Sequence, residues 1–145
     1  MLAARPGLLL AAGVASALAL ATAGCGGSGG SVGGDLLAVQ RDGNVPDAKL
    51  RIVVEDPGLV QCNGSAGLRM PDKLLLDARE LQRELADPAK ANLDLPAGPQ
   101  SVLRYDVRTE DGRVRFADDS RGPAVLDKTA YFTRQVAQQV CKLPR

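Results

Sequence analysis

Between Lys49 and Leu143 the spacing of apolar residues switches repeatedly between two periods, and that order constrains the fold more than any other feature. Lys49 to Glu55 alternates, with Leu50, Ile52 and Val54 on one side and Lys49, Arg51 and Glu55 on the other. A period of two belongs to a half-buried strand. Asp56-Pro57-Gly58 turns the chain, because proline fixes one dihedral and glycine accepts a positive one. Leu59 to Cys62 then pairs back as a second strand, and Asn63-Gly64 breaks it. From Asp72 the period becomes helical: Leu74, Ala78, Leu81 and Leu85 form one apolar stripe. Pro71 and Asp72 suit a first helical turn. Asp87-Pro88 is expected to end the helix, since the residue before a proline avoids helical geometry.

The alternation returns from Ser101 to Glu110, with Leu103, Tyr105, Val107 and Thr109 against Arg104, Asp106, Arg108 and Glu110. Asp111-Gly112 reads as a two-residue turn, and Val114 and Phe116 continue the apolar side. That turn sets Val107 opposite Phe116, Thr109 opposite Val114 and Arg108 opposite Arg115. Like charges directly opposite cost stability unless a carboxylate or anion lies between them, and Asp106 and Glu110 are near enough. The side carrying Arg104, Arg108, Arg113 and Arg115 is either a solvated face with diagonal ion pairs or a binding face for an acidic partner. Val125, Thr129, Phe132, Val136, Val140 and Leu143 then follow at helical spacing, with Cys141 in the last turn. The expected architecture is α+β: a small antiparallel sheet of about four strands with two helices on one face, in the order ββαββα.

The start of the chain has a different character. Arg5 precedes an apolar stretch from Gly7 to Leu20, and Thr22-Ala23-Gly24-Cys25 follows. A charged start, an apolar middle and small residues at the end make an export signal. Thr22 to Cys25 resembles the lipobox of bacterial lipoproteins, with Thr22 where leucine is usual. The resemblance implies a diacylglycerol on the Cys25 sulfur, cleavage before Cys25 and acylation, as by palmitate, of the new amine. It places the protein on the extracytoplasmic face of the cell membrane, anchored through Cys25. An ordinary signal peptide cleaved nearby is the alternative. Gly26 to Gly34 is almost all glycine and serine, the composition of a flexible coil. Residues 1–24 are therefore read as signal, 25–47 as lipidated cysteine and tether, and 48–145 as a single domain near the lower size limit for an independent core.

The chain has no histidine. That removes Ser-His-Asp and Cys-His catalysis and the usual zinc sites. No metal, no cofactor and no enzymatic activity are expected. An aromatic content of 3% without tryptophan lacks the stacking platforms of nucleic-acid binding, and a net charge of +1 exerts no general pull on polyanions. If Cys25 carries lipid, Cys62 and Cys141 remain, and export favours a disulfide between them over two buried thiols.

The stretch from about residue 74 to 130 resembles the emfourin-type inhibitors of thermolysin-like metalloproteases. The resemblance is carried by Leu81 and Leu85, Asn92-Leu93-Asp94-Leu95-Pro96, Arg104-Tyr105-Asp106-Val107, Glu110-Asp111-Gly112, Val114, Asp118 and Leu126. It implies a sheet-and-helix fold and a protease as partner. The sequence thus leads to a membrane-anchored lipoprotein with a small non-catalytic binding domain, with protease inhibition as its narrower form. The alternative is a structural or assembly accessory of a cell-envelope complex.

Overall fold

The computed structural model describes residues 34–143. The signal, Cys25 and the glycine-rich run up to Gly33 lie outside the described residues. The elements run β1 (Asp35–Gly43), β2 (Leu50–Glu55), β3 (Leu59–Cys62), β4 (Leu68–Arg69), α1 (Asp72–Lys90), β5 (Leu103–Thr109), β6 (Gly112–Ala117) and α2 (Val125–Gln139). The class is α+β with two helices, but the antiparallel sheet has six strands rather than about four, in the order β4-β3-β2-β1-β5-β6. The strand missing from the sequence reading that matters most is β1. Asp35 to Gly43, assigned above to the tether, is a central strand hydrogen-bonded to β2 on one side and β5 on the other. Leu37 and Val39 from it are fully buried.

Alternation along the strands sorts the sheet into two faces. Leu37, Val39, Leu50, Ile52, Val54, Val60, Tyr105, Val107, Val114 and Phe116 point into one hydrophobic cluster. The stripes of both helices close it, with Leu74, Leu81 and Leu85 from α1 and Phe132 and Val136 from α2. Among the described residues no helix lies over the other face. Each large side chain removed from water contributes about 1.5–3 kcal/mol, so this one-sided core is the main source of stability.

The β5–β6 hairpin differs from its expected register. Its pairs are Tyr105–Phe116, Val107–Val114, Arg108–Arg113 and Thr109–Gly112, so the loop residues are Glu110 and Asp111. Gly112 opens β6 with φ +146°. A Cβ there would strike the carbonyl oxygen of Ala89, so glycine serves the close approach to α1 as well as the positive φ that follows the turn. The slip is by two residues, so every side chain keeps its face; only its opposite number changes.

Helix α1 also runs past its expected stop. Pro88 lies inside it, and the helix ends two residues later. Its end is a Schellman motif: Asn92 takes φ +49°, its N–H donates to Ala89 O, and Leu93 N–H donates to Pro88 O. These bonds satisfy terminal carbonyls, which offsets the geometry that Pro88 disfavours at Asp87. The chain then runs along the outer edge of β6, where Arg115 N–H donates to Leu93 O at 2.8 Å and Leu95 N–H donates to Arg115 O at 2.9 Å. The segment that carries the inhibitor resemblance thus covers an otherwise open sheet edge.

Cys62, at the end of β3, and Cys141, just beyond α2 rather than in its last turn, are joined at disulfide distance with Cα atoms 5.8 Å apart. The link ties the last helix to the first hairpin.

Candidate functional site

The helix-free face is built from the strand positions that the core does not use. Read across the sheet, one row is Arg51, Gln40, Asp106 and Arg115, and the next is Gln61, Val53, Ala38, Arg108 and Arg113. Asp42 and Arg104 form a third, shorter row. All four arginines expected on this side are therefore on one face, and Arg51 from β2 joins them. Small or apolar side chains, Ala38 and Val53, lie between the arginines of the two halves.

The cations are not equivalent. Arg113 is engaged diagonally by Asp106, its Nε donating to Oδ1 at 2.7 Å and its Nη2 to Oδ2. This hydrogen bonding raises the Arg113 pKa further. Arg115 forms an ion pair with Asp94 from the edge segment. Arg51, Arg104 and Arg108 are exposed and have no ion-pair partner among the described residues. Arg104 and Arg108 flank Asp106 on β5, each about 7 Å from it along the strand. Asp106 is already held by Arg113, so Arg104 and Arg108, which flank it, present net positive charge, with the one carboxylate of Asp42 opposite Arg104.

Such a face can bind an acidic surface. Guanidinium groups offer planar, paired donors to carboxylates, and β5, between two hydrogen-bonded strands, fixes their spacing. Glu110 does not bridge Arg108 and Arg113; it accepts from Gln82 of α1.

On the opposite side, a groove of about 500 Å³ between α1 and α2 has Leu74, Leu81 and Phe132 on its floor. Two of its carboxylates are held in ion pairs, Asp77 by Lys73 and Glu84 by Lys128. The Lys128 hydrogen bond lowers the Glu84 pKa, and the Glu84 hydrogen bond raises that of Lys128. Among the described residues no three His, Cys, Asp or Glu side chains are grouped to hold a metal ion, and no helix is long and apolar enough to cross a membrane. Arg51 could have been found from the alternation of Lys49 to Glu55, had its strand been placed beside the others. Comparison with family models, curated proteins and solved structures finds no match.

Proposed function

We propose that this chain is an extracytoplasmic lipoprotein, anchored to the membrane through lipid on Cys25, whose domain binds an acidic protein partner on the open face of its sheet. The observation that carries the reading is the set of Arg51, Arg104 and Arg108, exposed on one rigid face without ion-pair partners among the described residues. Unpaired charge of one sign on a regular face speeds encounter with, and selects for, a surface of the other sign. The disulfide supports work outside the cytoplasm, where such a link persists. Inhibition of a protease is the narrower form of the reading, in which the partner is a secreted metalloprotease.

Detergent-phase partitioning tests the anchor. The full chain should enter the detergent phase with the mass of a diacylglycerol added at Cys25, and Cys25→Ser should move it to the aqueous phase with unchanged thermal unfolding. Equal partitioning of both proteins would overturn the anchor. Titration against thermolysin-like proteases tests the narrower form: stoichiometric inhibition that Arg104→Glu with Arg108→Glu abolishes supports it, and unaltered protease activity counts against it.

A further inference from the structure

Arg41 is the one arginine of β1, and it lies on the core side of the sheet with 5% of its surface exposed. Its Nε donates to Ala48 O at 2.9 Å and its Nη2 to Asp47 O at 3.0 Å. No carboxylate lies within ion-pair distance of it among the described residues. Burying a guanidinium is costly, and such charges are ordinarily matched by an anion. A guanidinium also has five N–H donors, and the two backbone carbonyls do not exhaust them. No side-chain nitrogen among the described residues is sealed away without a partner, so Nη1 of Arg41, which has no hydrogen bond, is not fully enclosed.

The larger space beside Arg41 is a cavity of about 410 Å³ between the sheet and α2. Arg134 from α2 is also on its lining, with its guanidinium carbon 5.7 Å from the centre of the Tyr131 ring, and so are Asp118, whose Oδ1 accepts from Val102 N–H at 3.0 Å, and Asp127. Leu103, Phe116 and Ala130 supply apolar wall. The Tyr105 phenol, 6% exposed, also lines it. Burial pushes the Tyr105 pKa up, while Arg41 and Arg134 pull it down and Asp118 pushes it up, so these charges act together on one spot. Arg41 also lines a cleft of about 90 Å³ together with Asp47, the residue whose carbonyl accepts from Nη2.

Two cations and two anions around one apolar-walled cavity match a ligand that carries one charge of each sign. A plain anion would meet Asp118 and Asp127, and a plain cation would meet Arg41. We propose that the cavity binds a small zwitterion of the α-amino-acid type, its carboxylate on Arg41 and Arg134, its ammonium toward Asp118 and Asp127. An aliphatic side chain would rest against Leu103, Phe116 and Ala130. The volume falls in the range of about 300–1,000 Å³ typical of small-molecule sites. This site is on the helix side of the sheet and stands independently of the open-face reading.

The test is calorimetric titration of the full chain in detergent micelles with L-leucine, isocaproate and isoamylamine, which share a branched aliphatic body and differ in charge. Leucine is expected to bind with a Kd below about 1 mM. Isocaproate and isoamylamine should each bind at least about tenfold more weakly. Arg134→Ala removes an exposed side chain and should keep the fold while weakening leucine about tenfold; Arg104→Ala, on the open face, should leave it unchanged. Absence of saturable leucine binding up to about 10 mM, or equal leucine affinity in Arg134→Ala, would overturn the site. Isocaproate binding as tightly as leucine would overturn the assignment of a zwitterion.

Discussion

Arg108 and Arg113 stand directly opposite each other across the β5–β6 hairpin, and Asp106 answers only Arg113. Like charges in a cross-strand pair cost roughly 0.2–1 kcal/mol. The site therefore carries a stability cost that a neutral or acidic residue would remove. Arg108→Glu should raise stability by about 0.5 kcal/mol in urea unfolding, while weakening the binding proposed for this face. A variant that is both less stable and fully competent in binding would separate Arg108 from the site and from its strain with Arg113.

The link between Cys62 and Cys141 closes a loop with a sequence separation of 79 residues. In the chain-entropy account such a loop contributes about 4 kcal/mol, a large share of the stability of a domain this size. Cys62→Ser and Cys141→Ser should lose equal amounts, and the double variant should be little worse than either. Additive losses in denaturant unfolding would contradict the pairing.

Strand β1 makes a third expectation concrete. Leu37 is fully buried and β1 joins β2 to β5. Leu37→Ala should cost about 2–5 kcal/mol, and a fragment beginning at Ala48 should not give cooperative thermal unfolding. Cooperative unfolding of that fragment would show that the central strand is dispensable.

Tyr105 sets an alkaline limit. Its folded-state pKa is raised above its ordinary value of 10.0, chiefly by burial. The stability that the neutral phenol contributes is complete below that ordinary value and is lost as pH rises through the folded-state one. The Tm of the native chain should therefore fall more steeply above pH 10.0 than that of Tyr105→Phe. Superimposable slopes would contradict the burial of an ionisable phenol.

What the sequence disclosed follows from how local each signal is. Leu50, Ile52 and Val54 alternate within one strand, and Leu74 to Leu85 repeat within one helix, so both were legible. Cys62 and Cys141 could be paired because the third cysteine was accounted for by its own motif. β1 was missed because Leu36 and Ala38 interrupt its alternation and a glycine-rich run precedes it. Its burial comes from neighbours distant in the chain. The turn at Glu110-Asp111 was misplaced because Gly112 meets a demand of the packing against Ala89, which no local pattern records. Pro88 is a local stop signal that the cap at Asn92, four residues on, overrides. Arg41 was missed with its strand. The arginine face was legible as a face, but which of its members lack partners depended on Asp94, carried in by a loop.

The most direct test of the binding face is photo-crosslinking in intact cell envelopes. A benzophenone side chain would replace Arg108 on the open face or Leu76, 62% exposed on α1. The face assigned here should give a discrete adduct from position 108 that disappears when Arg104 is changed to glutamate, and no such adduct from position 76. No adduct from position 108, or the same adduct from both positions, would contradict it.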